Sequence, residues 1–273
     1  MPVGRCSHGG VSVSTGLYGL DCSMNDITVR RPIQWLCAAA TDVGTVRAIN
    51  EDAVLERPEI GLWAVADGMG GHDAGNVASS MIVESLGELQ KPRTLSEFVT
   101  AIENCVMDAN QRLLEYSEIM LEGRVVGSTF VCLLIYRQVG VCLWTGDSRL
   151  YLYRGQELVQ LSRDHSEVAE LLRAGAITEE EAVDHPDANV ITRAVGTSEE
   201  LYVDIDVFAA QVGDTFLLCS DGLYNSLSKE AIVESLRAGS PDETVTDLID
   251  AALKNGASDN VSVIVVKGVR RPL

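Results

Sequence analysis

The stretch "GLWAVADGMGGHDAG", residues 61–75, joins two kinds of predicted secondary structure. Its first half is a continuous apolar run, which predicts a buried strand ending at Asp67. The segment that follows, "NVASSMIVESL" (76–86), carries apolar residues at helical spacing and predicts a helix. Between the two lie four glycines and a histidine, a composition typical of a tight turn. The stretch therefore predicts a strand–turn–helix unit with a carboxylate at the end of its strand.

The remaining hydrophobic pattern predicts strands in hairpin-like runs, with helices inserted in pairs. The predicted strands are 35–41, 52–56, 61–67, 127–136, 139–146, 149–153, 201–209, 214–219 and 260–268, and "GDSR" is predicted to turn the pair 139–146 and 149–153. The predicted helical stretches are 73–90, 95–120, 165–184, 229–238 and 241–255. Because this order is not a strict alternation of strand and helix, it favours an α+β layered sandwich of antiparallel sheets with helices packed outside.

One domain is expected, preceded by an N-terminal extension. Residues 1–33 lack hydrophobic periodicity and are predicted to be disordered, and the ordered domain is predicted over residues 34–270. No apolar stretch approaches the ~20 residues that span a bilayer. The N-terminus also lacks the continuous apolar core of a secretory signal. We therefore expect neither a membrane span nor secretion.

The composition restricts the partners of the chain. Its 273 residues carry 40 acids against 21 lysines and arginines, a formal net charge of −19. Such a surface repels nucleic acid and anionic membranes, so neither is an expected partner. The seven cysteines are odd in number and include no CxxC pair, which favours neither a disulfide framework nor a zinc site. This cysteine usage predicts a reducing, cytoplasmic location.

Aspartates border five separate predicted strands. They are Asp52, Asp67, Asp147, Asp221 and Asp259. Each alone fits ordinary turn chemistry. Together, carboxylates at the mouths of adjacent strands would converge, and each would take up a proton or require a cation. Oxygen ligands without cysteine or clustered histidine select Mg²⁺ or Mn²⁺. Two such ions held ~4 Å apart can clamp an in-line displacement at phosphorus, which predicts attack of water on a phosphate ester.

Arg47 supplies a positive group close to these acids in the sequence. It lies five residues before Asp52 in "GTVRAINED". Its planar guanidinium suits bidentate contact with phosphate oxygens. The alternative is an ordinary surface arginine, and only the proximity to the acids favours phosphate binding.

Eight blocks of the sequence, in order, resemble the bacterial branch of the metal-dependent protein phosphatase 2C (PP2C, PPM) family of serine/threonine protein phosphatases. The blocks are "TDVGTVRAINEDA" (41–53), "VADGMGGHDAG" (65–75), "GSTF" (127–130), "TGDSRLY" (145–151), "DHS" (164–166), "ITRAVG" (191–196), "CSDGL" (219–223) and "SDNVSVIVV" (258–266). The resemblance runs from about Ala38 to Val266. It implies a four-layer α/β/β/α sandwich, with two central antiparallel sheets flanked by helices and the metals at one edge.

The resemblance also implies a set of metal ligands. Asp67 matches the carboxylate that bridges two Mn²⁺ or Mg²⁺ ions, and Gly68 matches the residue whose backbone carbonyl is a ligand. Asp221 and Asp259 match the remaining direct acidic ligands. The other acids have more distant roles: by resemblance, Glu51 and Asp52 hold metal-bound water, and Asp147 belongs with Asp221 to a third, weaker metal site.

Four further assignments rest on the same resemblance. Arg47 matches the phosphate-binding arginine, and His72 matches the proposed general acid that protonates the leaving alkoxide. A histidine bonded in a polar turn is the alternative for His72. Asn260 is expected to orient the site, although an asparagine capping a strand would fit equally well. Residues 165–187 correspond to a flap, in which Thr178 and a glutamate three residues later predict a helix capping box.

The implied function is a protein serine/threonine phosphatase that hydrolyses phosphoserine and phosphothreonine by attack of metal-activated water at a binuclear centre. Its expected partners are phosphorylated proteins, including a bacterial Hanks-type kinase and its substrates, with a link to type VI secretion as a further suggestion. A monomer is expected. The alternatives are an inactive pseudophosphatase that binds a phosphoprotein, and a two-metal phosphodiesterase or nuclease, which the net charge of −19 opposes.

Overall fold

The computed structural model describes residues 33–70, 74–183, 185–187, 190–237 and 239–271. Of the predicted extension over residues 1–33, only Ile33 lies within these ranges, where it begins the first strand. In the described part of the chain, no helix is both long enough and apolar enough to cross a membrane.

The described residues form strands in four groups along the chain, separated by helices. The strands are β1 (Ile33–Asp42), β2 (Asp52–Arg57), β3 (Leu62–Gly70), β4 (Val126–Ser128), β5 (Phe130–Tyr136), β6 (Val139–Thr145), β7 (Arg149–Arg154), β8 (Glu157–Gln160), β9 (Asp204–Ala209), β10 (Thr215–Cys219) and β11 (Val261–Arg270). The helices are α1 (Ala74–Gly87), α2 (Leu95–Met120), α3 (Glu167–Arg173), α4 (Glu179–Val183), α5 (Asp221–Ser226), α6 (Lys229–Arg237) and α7 (Pro241–Lys254).

The strands form two antiparallel sheets. The first sheet has the order β1-β11-β10-β7-β8, and the second has the order β2-β3-β5-β6-β9, with β4 paired to β3. The inner faces of the two sheets pack against each other through large apolar side chains, among them Trp63, Leu133, Trp144, Phe216 and Ile264. This inter-sheet core makes the two sheets one sandwich.

Helices cover both outer faces of the sandwich. On the second sheet, α1 and α2 bury apolar side chains such as Ile82, Phe98 and Leu113. On the first sheet, α5, α6 and α7 do the same with Leu223 and Leu248. The result is the four-layer α/β/β/α arrangement with two central antiparallel sheets, and this confirms the predicted fold class.

Several predicted elements differ from the observed ones. The turn "GDSR" does not join a hairpin, because β6 and β7 lie in different sheets and the chain crosses between them there. The hairpin is instead formed by β7 and β8, and β8 was missed by the sequence prediction. Its turn residues Gly155 and Gln156 have positive φ, as two-residue hairpin turns favour. The short helix α5 was also missed. The predicted strand 127–136 is two strands broken at Thr129, and the helical stretch 165–184 is two short helices.

Antiparallel pairing brings the predicted acids to one end of each sheet. In the second sheet, Asp52 at the start of β2 pairs with Asp67 in β3. In the first sheet, Cys219 at the end of β10 pairs with Val263 near the start of β11 and with Arg149 at the start of β7. That end therefore carries the acids that flank these strands, which are Asp147, Asp221 and Asp259.

The inter-sheet core predicts a sharp difference between two apolar truncations. Leu133 is fully buried between the sheets, whereas Val159 on β8 is 49% exposed. We expect Leu133→Ala to lower the free energy of unfolding by about 2–5 kcal/mol, because it leaves a cavity in a packed core. Val159→Ala should change it by less than about 0.5 kcal/mol. Urea unfolding followed by circular dichroism measures both, and equal losses would contradict the assigned packing.

Candidate active site

A cavity of about 260 Å³ opens at the end of the sandwich where the acids gather. Eight of the predicted site residues line it, namely Arg47, Glu51, Asp67, Gly68, Asp147, Asp221, Asp259 and Asn260. Asp52 is buried next to Asp67, behind the lining. His72 lies outside the described residues, so its predicted role stays a prediction. The structure thus brings together residues that are more than 200 positions apart in the sequence.

Asp67 is held in place through its backbone. Its amide N–H donates to Thr129 Oγ1 at 3.1 Å, and its carbonyl accepts from the Thr129 amide at 2.8 Å and from Ser128 Oγ at 3.0 Å. Three hydrogen bonds from one neighbouring segment leave the backbone little freedom, so the direction in which the side chain leaves the backbone is fixed. Burial and the negative charges of Asp52 and Asp221 raise the pKa of Asp67 well above its ordinary value.

The acids of the first sheet share this electrostatic environment. Burial, together with the charges of Asp147 and Asp259, raises the pKa of Asp221 to about 7. Burial and the charge of Asp164 raise the pKa of Asp147 to about 6. Tyr224 contacts this acid and donates its hydroxyl to the Asp147 backbone carbonyl at 3.1 Å. Carboxylates in this arrangement repel one another, and a cation among them would relieve the repulsion.

Asp52 also has a raised pKa, and it is more deeply buried than the other acids of the site. Its Oδ2 accepts from Ser220 Oγ at 2.7 Å, but its Oδ1 is buried without a hydrogen-bond partner. Burial raises the pKa of Asp52 to about 6, although neighbouring polar side chains, Ser220 among them, oppose the shift. A buried carboxylate oxygen without a partner is costly. This orphaned oxygen fits a site that is completed by water or by a cation.

The donor set is one that hard cations accept. Within the described residues, no three side chains of Asp, Glu, His or Cys lie close enough together to enclose one ion by themselves. A cation in the cavity would therefore need backbone carbonyls and water as further ligands, as Mg²⁺ in particular commonly does. Gly68 lines the cavity with its backbone, and the acids around it offer only oxygen. The residues present thus fit Mg²⁺ or Mn²⁺ rather than zinc.

Gly68 allows three backbone segments to meet beneath the cavity. A Cβ at this position would lie 2.1 Å from the Gly75 carbonyl oxygen and 2.6 Å from that of Glu51. The Gly68 amide donates to the same Glu51 carbonyl at 3.1 Å, and Glu51 Oε1 accepts from the Gly75 amide at 3.1 Å. Any side chain at position 68 would force these segments apart, which explains the glycine directly after the acid.

Asn260 ties the loop that carries Arg47 and Glu51 to the start of β11. Its Oδ1 accepts from the Glu51 amide at 2.8 Å, and its Nδ2 donates to the carbonyls of Val43 at 2.9 Å and Ile49 at 3.0 Å. All three functions of this buried side-chain amide are therefore used across the loop. Asn260 holds the loop in shape, a more specific role than strand capping.

Arg47 lies at the rim of the cavity. Its Nη2 donates to Asp259 Oδ2 at 2.7 Å, and both side chains are partly exposed, at 52% and 36%. Ion pairs this exposed are worth ~0–1 kcal/mol. The guanidinium can therefore exchange this partner for an anion that enters the cavity at little cost.

The sequence interpretation missed the hydroxyl groups that support the acids. Ser128 and Thr129 hold Asp67, Ser220 binds Asp52, and Ser79 Oγ donates to the Glu51 carbonyl at 2.6 Å. The first two stood in the quoted block "GSTF" without an assigned role. The available signal was a hydroxyl residue next to a strand end that faces an acid. Met69 and Ile191 also line the cavity and carried no chemical signal of their own.

Comparisons with known proteins agree on one family. Residues 45–256 match the family model "Protein phosphatase 2C". The chain is 37% identical over 235 residues to the serine/threonine phosphatase stp of Listeria monocytogenes, covering 83% of this chain and 93% of that protein. It is also 37% identical over 228 residues to the serine/threonine protein phosphatase PstP of Mycobacterium tuberculosis, but it spans only 44% of that longer protein.

Solved structures give the same result. PppA, described as a key regulatory component of T6SS in Pseudomonas aeruginosa, superposes with a TM-score of 0.81 at 41% identity, over 87% of this chain and 99% of that one. The catalytic domain of PstP in complex with two manganese ions superposes with a TM-score of 0.79 at 35% identity, over 87% of this chain and 99% of that one.

The three-way clamp of Asn260 predicts a large and local effect of its removal. We expect Asn260→Ala to lower the free energy of unfolding by about 2–4 kcal/mol, because three partly buried hydrogen bonds to the backbone are lost. Asn255, which is exposed and makes one side-chain hydrogen bond, to the Ser226 carbonyl, is the matched control. Asn255→Ala should cost no more than about 1 kcal/mol. Urea unfolding compares the two, and similar losses would show that Asn260 does not clamp the loop.

Proposed function

The chain belongs to the protein phosphatase 2C family, and we propose that it hydrolyses phosphoserine and phosphothreonine in proteins at a centre of two Mn²⁺ or Mg²⁺ ions. One observation carries the proposal: acids from both sheets converge with an arginine around a single cavity. Burial and mutual repulsion raise the pKa values of Asp67 and Asp221, and perturbed carboxylates of this kind are common at functional sites. The relative with two bound manganese ions supports the same choice of metal.

In the proposed metal centre, Asp67 would bridge the two ions and Gly68 would contribute its backbone carbonyl. Asp221 and Asp259 complete the direct acidic ligands. Three features support this set: all four residues line one cavity, they offer only oxygen, and Gly68 has no side chain to interfere. The two ions, when bound, would act as Lewis acids toward the phosphoryl oxygens and would lower the pKa of water.

Three further acids are proposed to act around this centre. Glu51 and Asp52 hold water at the ions, and the orphaned buried oxygen of Asp52 supports that role. Asp147 is proposed to form a third, weaker metal site with Asp221. The charge of Asp147 raises the pKa of Asp221, which supports their proximity.

Arg47 is proposed to bind the phosphate of the substrate. In the described residues its guanidinium makes one hydrogen bond, to Asp259, which leaves further N–H donors for phosphate oxygens. Binding at the rim orients the phosphorus atom toward the acids in the cavity. Protonation of the leaving serine or threonine oxygen is assigned to His72, on family resemblance alone. Asn260 supports the site by holding the loop that carries Arg47 and Glu51.

The substrates are phosphorylated proteins, and their identity is a matter of proposal. We propose that the chain opposes a bacterial Hanks-type serine/threonine kinase, acting on the kinase and its substrates. The likeness to PppA, named as a regulatory component of T6SS, supports a role in type VI secretion. The cytoplasmic location rests on the cysteine pattern and stays a prediction. The monomeric state and the lack of nucleic-acid or membrane partners also stay predictions.

Two alternatives fit the observations less well. A pseudophosphatase that only binds phosphoproteins would be expected to have lost metal acids, yet Asp67, Asp147, Asp221 and Asp259 are all present and gathered. A two-metal nuclease would need a basic track for nucleic acid, which a net charge of −19 does not favour.

Metal-dependent hydrolysis tests the proposed function directly. With Mn²⁺, the chain should release phosphate from p-nitrophenyl phosphate and from a phosphothreonine peptide, and EDTA should abolish both reactions. Asp221→Asn should lower kcat by at least ~10²-fold, because it removes one acidic ligand. Asp247→Asn, an exposed acid on α7, is the matched control and should behave like wild type. A wild-type protein inactive on both substrates would overturn the proposal.

Asp221→Asn should lower activity but stabilise the metal-free protein, because the acids repel one another. Without divalent metal, Asp221→Asn should raise the melting temperature, because it removes one of several repelling buried charges. With Mn²⁺, wild type should gain stability and the variant should gain less. Differential scanning fluorimetry in EDTA and in Mn²⁺ gives the four values. A variant that is less stable than wild type in EDTA would contradict the electrostatic account.

A further inference from the structure

His165 is a buried imidazole outside the proposed catalytic set, with a hydrogen-bond partner at each ring nitrogen. Nδ1 accepts from the Gly146 amide at 3.1 Å, and Nε2 lies 3.2 Å from Asp204 Oδ2 on β9. The ring stacks on Trp144 at 6.2 Å between centroids, with 18° between the planes. Only 5% of the residue is exposed. A buried ring with both nitrogens engaged is fixed in one orientation.

The hydrogen-bond network also fixes the protonation state. A backbone amide can only donate, so Nδ1 must carry a lone pair, and the proton of the neutral ring lies on Nε2, facing Asp204. The charged groups facing the ring are Asp204, Asp164 and Arg193. Burial lowers the pKa of His165 despite the nearby carboxylates. The neutral ring is therefore the form that this pocket accommodates.

His165 joins the start of the predicted flap (165–187) to the segment that follows the flap. Its carbonyl accepts from the Thr192 amide at 2.8 Å, and the next residue, Ser166, forms an antiparallel bridge with Ile191. The Glu167 amide donates to the Val190 carbonyl at 2.9 Å. Ile191 lines the cavity, so the segment that pairs with the start of the flap is also a wall of the candidate active site.

Gly146, whose amide donates to His165, packs against Thr129, the residue that holds the Asp67 backbone. It has φ +102°, and a Cβ there would lie 2.7 Å from the Cβ of Thr129. Thr129 Oγ1 in turn accepts a hydrogen bond from the Asp67 amide. Gly146 is also the residue directly before Asp147. A shift of this turn would therefore reach Asp147 through the chain and Asp67 through packing.

From this geometry we propose that His165 is a positioning residue for the phosphatase reaction: through Nδ1 it holds the Gly146–Asp147 turn, and through its backbone it joins that turn to the base of the flap. The inference rests on the proposed function for its catalytic consequence. Groups that orient metal ligands without touching the metal typically contribute ~10–100-fold to metal affinity or activity.

Two amide variants separate the two ring contacts. In His165→Asn, the side-chain Oδ1 can take the place of Nδ1 and accept from Gly146, while the contact to Asp204 is lost. In His165→Gln, the side-chain Nε2 can replace the ring Nε2 and donate to Asp204, while Gly146 loses its acceptor. Both variants remove the stack on Trp144, so a purely structural role for the ring would affect them alike.

The expected results differ between the variants. His165→Gln should lower kcat and the Mn²⁺ affinity measured by isothermal titration calorimetry by ~10-fold, with KM for a phosphothreonine peptide unchanged. His165→Asn should stay within about threefold of wild type, since it keeps an acceptor for the Gly146 amide and loses only the contact to the half-exposed Asp204. Hydrogen exchange of the Gly146 amide should be slow in wild type and His165→Asn and fast in His165→Gln. Melting temperatures confirm that both variants are folded.

The outcomes distinguish this inference from the proposed function. A wild-type protein without phosphatase activity would overturn the function, while Gly146 exchange and Mn²⁺ titration would still report on His165. An active wild type with equal losses in the two variants, or with slow Gly146 exchange in His165→Gln, would overturn the positioning role and leave the function standing. A larger loss in His165→Asn than in His165→Gln would assign the role to Asp204 and also overturn the inference.

Discussion

The fold is constrained by the repulsion among carboxylates that strand pairing brings together. Antiparallel pairing sets Asp67 beside Asp52 in one sheet and gathers Asp147, Asp221 and Asp259 at the same end of the other. Burial adds to the repulsion and raises the pKa values of the most enclosed acids. A fold that keeps this arrangement must stabilise it elsewhere, and under the proposed function a divalent cation would relieve the repulsion.

The supporting interactions are of two kinds. Hydroxyl groups and one side-chain amide fix the backbone around the acids: Thr129 holds Asp67, and Asn260 holds the loop of Glu51. Glycines allow the backbone segments to approach, most closely at Gly68. The inter-sheet and outer cores provide the stability that such a strained end requires. The rigid sandwich and the strained site are therefore parts of one arrangement.

Periodicity predicted the long elements well and the local departures poorly. Helix α2 occupies the predicted 95–120, and the predicted capping box at Thr178 and Glu181 is present. Strand β8 was missed because it is a four-residue edge strand, and α5 because its six residues begin with a turn-like "DG". The crossing between sheets at "GDSR" depends on tertiary packing, which a local pattern does not record. The acids were identifiable from strand ends, whereas their hydroxyl partners needed the three-dimensional structure.

Anomalous diffraction at the manganese edge, from crystals grown with Mn²⁺, tests directly whether the acids in the cavity hold metal. Two strong peaks are expected in the cavity, with Asp67 between them and Asp221 and Asp259 as further ligands. A third, weaker peak would lie near Asp147. Strong peaks elsewhere, with none beside Asp67, would contradict the claim that these acids are gathered to hold metal.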